Sequence, residues 1–565
     1  MISEEVKDKI KNLYTQKKYE EVIEVSEKFT LSEERPSGLI NLIGTSYYLK
    51  KNPTKEDFKL ALSSFESAYL KEKNSIHGLN AIKNLVIVGI KTSNVFREHV
   101  KFLHKAKNYY LEASINFQNN KEFLQTGILL FTYLLDKKKI REIIVSIVNG
   151  SVVSKDLKGQ STFMINYYDE WSQKEIIDIS RQNTQYFSKL DTKELTKTEY
   201  LNDSIVNIGF VSCDLVKNHS VLYFLKDTIK YLDKSKFRIF IFSINKKDTN
   251  DLSQNELREF SDEWYDLQDF NNQQIVDIIQ EKNVDILFDL IGYTNSKRLE
   301  IFNSRVAPIQ VSWLAYCNTS GFDTVDYLLT DKNSIYKNEH DLYSEKIIYL
   351  PNIWNAHCGF KYQRKFNELN ATNIKEFTFG SFNTFMKISD ETINVWSNIL
   401  KDVENSRLIL KSSNFCSEDL LIHKFKSNGV SDQVIIYSKF DFLKHEDHLN
   451  LYKKIDLCLD TFPYNGVTTT FEALWMNVPV IVLKGNNFIS RCGVSIIKNS
   501  KQDYLIANDK KEYVSKAVFL ARNLSQLDII RKNLYDNILS TDLFNTKKFS
   551  RDFNDTLLKI IDYKK

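Results

Sequence analysis

The chain has 565 residues, 27% of them charged, and a formal net charge of +4. That length accommodates two to four domains, each with its own core. So nearly balanced a charge gives no bulk electrostatic footing for nucleic acid or for an acidic membrane surface, and neither is expected as a partner.

From residue 1 to about 195, apolar residues recur at intervals of three and four with Lys and Glu between them, which predicts consecutive helices. Ile43, Gly44 and Tyr47, then Ala61, Phe65 and Ala68, echo the small and aromatic spacing of a tetratricopeptide unit. One unit cannot bury its own face, so degenerate helical pairs are expected around it, a plain helical bundle being the alternative.

Near residue 200 the pattern changes. IVNIGFVS (205–212), FRIFIFSI (237–244), VDILFDLI (284–291) and IQVSWLAY (309–316) are short, β-rich and apolar, and alternate with helical stretches. The alternation resumes at FTFGSFN (377–383), SRLILKSS (406–413), QVIIYSKF (433–440), DLCLDTF (456–462) and VPVIVLKG (478–485). This predicts an α/β protein with two doubly wound parallel sheets facing a cleft, preceded by an all-α domain. The expected domains are 1–195, 196–365 and 366–565, joined near 351–376, with one last helix from 541.

Six cysteines, at 213, 317, 358, 416, 458 and 492, include no C-x-x-C pair and no zinc-type spacing, although Cys358 follows His357. Reduced thiols and no metal are expected. The opening MISEEVKDKIKNLY has no basic segment ahead of an apolar core, and no stretch approaches about 18 uninterrupted apolar residues. The expectation is a cytoplasmic protein with neither leader nor membrane span.

Three stretches carry chemistry. In SCDLVKNHS (212–220), directly after a predicted strand, His219 stands where such folds place ligand contacts, as a proton carrier or a sugar hydroxyl partner; the bland alternative is a helix cap. In FGSFNTFMKISDETINVW (379–396), Asn383 and Thr384 offer amide and hydroxyl groups to a phosphate, and Lys387 offers a cation. In DLCLDTFPYNGVTTTFEALW (456–475), Gly466 turns the chain and Thr468 and Thr469 open a helix whose N–H and O–H groups can hold a pyrophosphate. Glu472 lies on the same helix face and can accept ribose hydroxyls, or is merely a first-turn acid.

Taken in order, VSCDLVKNHSV, ILFDLIGYT, APIQVSWLAYCNTSGFDTVDYLLTD, YSEKIIYLP, FGSFNTFMKISDETINVWSNIL and DLCLDTFPYNGVTTTFEALWMNVPVIVLKGNNFISRCGVSII resemble the catalytic region of the O-GlcNAc transferase and SPINDLY family over about residues 203–500. The resemblance implies a two-lobed GT-B glycosyltransferase, inverting and metal-independent. It would move a sugar, GlcNAc from UDP-GlcNAc first of all, onto Ser or Thr hydroxyls of protein acceptors held by the helical domain. It places Lys387 at the catalytic lysine that neutralises the departing diphosphate and His219 at the active-site histidine near the sugar. Leu314, Ala315 and Cys317 take positions lining the sugar pocket, Thr468 and Thr469 the pyrophosphate, Glu472 the ribose, and His448 the base, with Asn383 and Thr384 beside the diphosphate.

Departures bear on the donor. Val467 stands where relatives have His or Thr, Cys317 where they have Pro, and Thr384, Phe385 and Met386 replace more polar residues of the animal enzyme. The TTT-x-E-A-L-W-M form looks more like SPINDLY-type and bacterial members, and plant SPINDLY proteins use GDP-fucose, so UDP-glucose and GDP-fucose stay open as donors. A non-Ser/Thr acceptor, a nucleotide-sugar epimerase and an inactive protein-binding scaffold are the other readings. The chemistry has its own logic: a diphosphate leaving group gathers negative charge that metal or protein must meet. The sequence has no D-x-D triplet of the GT-A type, which points to Lys387 with the Thr468/Thr469 helix start and leaves the catalytic base open.

Overall fold

The computed structural model describes residues 3–29, 35–150, 154–193, 205–217, 219–245, 248, 250–360, 376–412, 415–438 and 445–564. The predicted strand 433–440 ends in part outside them. The chain forms two compact units, 1–152 with 412–423, and 153–411 with 424–565.

The first unit is helical: α1 (Glu4–Thr15), α2 (Tyr19–Phe29), α3 (Ser37–Leu49), α4 (Lys55–Lys71), α5 (Ile76–Ser93), α6 (Val100–Phe117), α7 (Lys121–Tyr133) and α8 (Lys137–Asn149). Local chemistry starts several of these helices. Thr54 and Asp57 close a capping box on α4, while Ser75, Asn120 and Asp136 cap α5, α7 and α8 through their side-chain oxygens. The tetratricopeptide-like spacing shows its purpose at Gly44 of α3. A Cβ there would lie 2.8 Å from the Phe65 ring and 3.1 Å from the Ala61 carbonyl of α4, so only glycine lets the two helices approach this closely. Ile43, Ala61, Phe65 and Ala68 are buried in that contact.

The second unit opens with α9 (Lys155–Met164) and α10 (Gln173–Thr184). Helical periodicity assigned these to the domain ending at 195; the compact unit begins at 153. Periodicity marks a helix but is blind to which core the helix covers. Here α9 and α10 brace the α/β region: Asn166 donates to Tyr316 Oη (3.2 Å), Asn318 donates to Asn166 (2.8 Å), and Gln173 donates to Asn318 (2.8 Å).

The first sheet holds β1 (Val206–Ser212), β2 (Phe237–Ser243), β3 (Glu263–Asp266), β4 (Ile286–Asp289), β5 (Ile309–Ser312), β6 (Tyr327–Thr330) and β7 (Lys346–Tyr349), in the order β3-β2-β1-β4-β5-β6-β7. All six pairings are parallel. Its crossover helices are α11 (Ser220–Lys230), α12 (Leu252–Phe260) and α13 (Asn272–Glu281). The interior strands β1 and β4 are buried almost throughout and mostly apolar because helices cover both faces, which is why they were legible. The strands β3, β6 and β7 were not: four residues each, with β3 and β7 incompletely buried, they carry too short a signal.

The second sheet holds β8 (Phe377–Ser381), β9 (Ser406–Ser412), β10 (Val434–Ser438), β11 (Leu457–Leu459), β12 (Val480–Leu483) and β13 (Ile506–Ala507), in the order β10-β9-β8-β11-β12-β13. Its helices are α14 (Asp390–Asp402), α15 (Phe415–Ser427), α16 (His445–Leu451), α17 (Thr468–Trp475), α18 (Cys492–Asn499), α19 (Lys510–Arg522) and α20 (Leu524–Ser540). The last helix, α21 (Thr546–Lys564), was expected to close the second lobe but packs on the first. Ser550 Oγ donates to the Thr228 carbonyl of α11 (2.8 Å), and the Phe553 ring lies 4.8 Å from Trp313.

The lobes are joined by a buried seam. Arg491 Nη2, on a fully buried side chain at the start of α18, meets Glu339 Oε2 at 2.6 Å, and its guanidinium covers the Tyr336 ring at 4.2 Å. Ser495 Oγ donates to Asp331 Oδ2 (2.5 Å), which also accepts the Trp354 N–H (3.0 Å). These contacts set the distance between the two carboxyl edges where the predicted site residues lie.

Candidate active site

The turn after β8 and the loop after β11 converge at the carboxyl edge of the second sheet. With the turn after β5 and the start of α11 they enclose a cavity of about 190 Å3. Leu314, Ala315 and Cys317 line it from the first lobe, and Asn383, Thr384, Lys387, Thr468 and Thr469 from the second, together with Trp354, Tyr464 and Val467. The cation and the threonine pair, 81 and 82 residues apart in sequence, thus open onto one space.

Lys387 is half-buried. Its Nζ donates to the Asn465 carbonyl at 2.8 Å and sits 4.0 Å from the centre of the Tyr464 ring. Burial holds its pKa below the ordinary lysine value, against the favourable charge of Asp460. The helix start opposite is equally specific in form. Val467, the N-cap residue of α17, makes no side-chain capping bond, so the first-turn N–H groups have no side-chain acceptor of their own at that position. Across the cavity, Leu314 takes a φ of +78° and Ala315 N–H closes a three-residue turn onto the Trp313 carbonyl at 3.0 Å. A branched residue at positive φ is strained, and the buried Trp313 side chain, donating to the Trp354 carbonyl at 2.9 Å, holds it there.

Gly466 is not in the lining but packs behind two residues that are, Thr469 and Asn383. Its N–H donates to Asp460 Oδ1 (2.8 Å), and a Cβ on it would lie 2.6 Å from Thr469 Oγ1 and 3.0 Å from Asn383 Oδ1. Asn383 is bonded on both sides: Nδ2 donates to Asp460 (3.1 Å) and Oδ1 accepts from Thr469 Oγ1 (3.1 Å). Sequence reasoning passed over Asp460, reading it only as the end of a strand. An acid closing an apolar strand ahead of a Pro-containing turn was the available signal.

His448 and Glu472 stand behind the threonine pair, outside that lining. His448 Nε2 and Glu472 Oε2 are 3.0 Å apart and both residues are buried. Tyr452 Oη donates to the same carboxylate oxygen (3.2 Å) and to the Thr469 carbonyl (3.1 Å). Lys411 of β9 faces Glu472 electrostatically, a cation the sequence reading did not select.

His219 is in capping geometry: its Nδ1 accepts from Val221 N–H (3.4 Å) and its Nε2 lies 3.7 Å from Asp214 Oδ1. Its neighbours Ser220 and Val221 line the cavity.

A larger crevice, about 860 Å3, lies at the carboxyl ends of β1–β3 and is lined by Asn245, Gln268, Asn272, Asn295 and Arg298 among others. It contains none of the predicted residues. The smaller cavity joins both lobes and holds a half-buried cation whose pKa desolvation lowers, the arrangement that perturbs reactivity. Among the described residues no group of three or more His, Cys, Asp or Glu side chains is placed to hold a metal ion.

The sequence model of glycosyl transferase family 41 matches residues 183–377 and 373–553. The chain is 31% identical over 404 residues to a probable UDP-N-acetylglucosamine–peptide N-acetylglucosaminyltransferase SPINDLY of Hordeum vulgare, covering 70% of this chain and 42% of that protein. It is 29% identical over 369 residues to the SEC protein of Arabidopsis thaliana, similarly described, covering 63% of this chain and 37% of that one. The chain therefore spans about two fifths of the length of these curated relatives. Among solved structures, a mutant of Thermobaculum terrenum O-GlcNAc transferase superposes with a TM-score of 0.76 at 22% identity, over 90% of this chain and 95% of that one. That likeness shows the fold: two Rossmann-like lobes in the GT-B arrangement with an all-helical N-terminal region. On the family match and the fold together, this chain belongs to glycosyl transferase family 41.

Proposed function

We propose that the chain is an inverting, metal-independent glycosyltransferase that moves a sugar, GlcNAc from UDP-GlcNAc, onto Ser or Thr hydroxyls of protein acceptors. The observation that carries this reading is the meeting of Lys387 and the Thr468/Thr469 helix start on one cavity with Leu314, Ala315 and Cys317. The names of the relatives supply the donor and the peptide acceptor. The helical unit is the proposed holder of the acceptor protein, and the cytoplasm the proposed location.

In the reaction an acceptor hydroxyl attacks the anomeric carbon from the face opposite the diphosphate, whose bond to that carbon breaks as the new one forms, while the hydroxyl proton is released to water. Charge grows on the departing phosphate oxygens. The Lys387 ammonium, drawn from the Asn465 carbonyl, and the open first turn of α17 meet it in a space where burial strengthens electrostatics. Thr468 and Thr469 add hydroxyls, and Glu472, in contact with His448, is set to take the ribose while His448 meets the base.

The test is a donor panel on purified protein with Ser/Thr-containing peptides: UDP-GlcNAc, UDP-glucose and GDP-fucose, each with and without a chelator, read by intact mass. One sugar added per event from UDP-GlcNAc, undiminished by chelator, is expected. Transfer from GDP-fucose alone overturns the donor, chelator sensitivity overturns metal independence, and no transfer from any donor overturns the enzyme.

Gly466→Ala is expected to weaken UDP binding tenfold or more, because its Cβ would crowd Thr469 Oγ1 at 2.6 Å and Asp460 Oδ1 at 2.9 Å. Crowding of this kind costs about 1–3 kcal/mol. Calorimetric titration with UDP reads the loss, and unchanged affinity would show that the close packing at Gly466 does not shape the nucleotide site.

A further inference from the structure

Asp460 is the most constrained group near the cavity that the mechanism above leaves without a task. It is fully buried at the end of β11, and one oxygen, Oδ1, accepts three bonds: from Thr461 N–H (2.9 Å), Gly466 N–H (2.8 Å) and Asn383 Nδ2 (3.1 Å). The other oxygen, Oδ2, is buried and has no hydrogen-bond partner among the described residues. Its backbone carbonyl accepts the Tyr513 hydroxyl (2.9 Å). A helix cap or loop anchor needs only the first oxygen. A carboxylate with one bare oxygen in the interior is costly unless its charge is used.

The use is visible in what surrounds it. Lys387 takes its strongest favourable electrostatic interaction from Asp460, and the carbonyl that holds its ammonium belongs to Asn465 in the same loop. Asn465 is itself fixed: Nδ2 donates to the Thr461 carbonyl (3.0 Å) and Oδ1 accepts from Gly493 N–H (3.3 Å). Through Asn383 the same carboxylate sets the Thr469 hydroxyl. One side chain therefore governs both halves of the anion site.

We propose that Asp460 is a positioning residue: it keeps Lys387 cationic inside the cavity and, through Gly466 and Asn383, aligns the loop and the Thr469 hydroxyl that receive the departing diphosphate. This rests on the reading of the cavity given under the proposed function. The carboxylate and the ammonium are each destabilised by burial and each stabilised by the other, so removing either favours the neutral form of its partner; burial pushes Asp460 up to about 7. The other titratable groups facing the pair are the thiols of Cys458, Cys492 and Cys317 and the phenols of Tyr464 and Tyr513. Burial drives the Cys458 and Cys492 thiols and both phenols upward, so they stay neutral while the pair titrates.

Asp460→Asn keeps acceptor and shape and removes the charge. Pulse labelling of Lys387 with a small amine-reactive anhydride across a pH series, read by peptide mass spectrometry, follows its ammonium without any donor sugar. The midpoint is expected to fall by about one pH unit or more in the variant, as for loss of an adjacent opposite charge. An unmoved midpoint overturns the proposal. If Asp460→Asn does not fold, Lys387→Met reads the same coupling from the other side: the infrared band of the protonated Asp460 carboxyl should persist to higher pH than in the unaltered protein, and identical titrations overturn the proposal. With transfer assayed as well, Asp460→Asn should lower kcat about tenfold or more with KM for the donor changed far less, and move the alkaline limb of the kcat profile to lower pH. Absence of transfer in the unaltered protein counts against the proposed function alone, since the labelling result stands without it.

Discussion

Lys387→Ala is expected to remove sugar transfer from measurable range while leaving part of the nucleotide affinity. The reason is the timing of the charge it meets. On the proposed reading the α17 start and the threonine hydroxyls would hold the diphosphate already in the ground state, and only as the anomeric bond breaks would it need another cation. Loss of one preorganised donor to a developing anion costs about 2.7–4 kcal/mol, a fall of about 10²–10³ in kcat. Lys387→Arg is no substitute, because the guanidinium is larger and planar, while the lysine is enclosed between the Asn465 carbonyl and the Tyr464 ring. Single-turnover kinetics with UDP-GlcNAc, alongside UDP titration, separate the two terms. Near-normal turnover in Lys387→Ala would reject the assignment of the leaving-group cation.

Arg491→Ala is expected to produce the largest loss of stability among the changes considered. The guanidinium is fully buried, paired with Glu339 at 2.6 Å, donates through Nε to the Asn487 carbonyl at 3.2 Å, and covers Tyr336. Truncation leaves Glu339 short of its partner in the seam between the lobes, and breaking a buried pair costs about 3–5 kcal/mol. Urea unfolding should show the midpoint fall accordingly. The double variant Arg491→Met with Glu339→Leu is expected to recover much of the loss, since an apolar pair needs no compensation for buried charge. If the single variant unfolds at the same urea concentration as the unaltered chain, the seam is not what holds the lobes.

These two expectations differ in how far they could be read before the fold was known. Lys387 was selected from a strand, a polar turn and a helix start in sequence, and the structure puts it in the cavity with the threonine pair. Arg491 was not selected, because nothing around it in RCGVSII distinguishes a buried cation from a solvated one; its partner lies 152 residues away. Asp460 was in plain view and undervalued for the same reason. Its meaning depends on Asn383, 77 residues earlier, and on the loop amide of Gly466. His219 was read as an active-site group or a cap, and its ring is found capping α11.

What the sequence determined alone is what is encoded over a few residues. Apolar runs bounded by turn residues marked the long interior strands, Ser, Thr, Asn and Asp marked helix starts, and Gly44 marked a close helix contact. Only the tertiary structure decided that α9 and α10 brace the turn carrying Leu314, that α21 returns to the first lobe, and that Glu472 meets His448 behind the threonines. Backbone conformation answers mainly to neighbours along the chain, whereas charge state, hydrogen-bond partners and cavity walls answer to groups that closure of the whole core brings within a few ångströms.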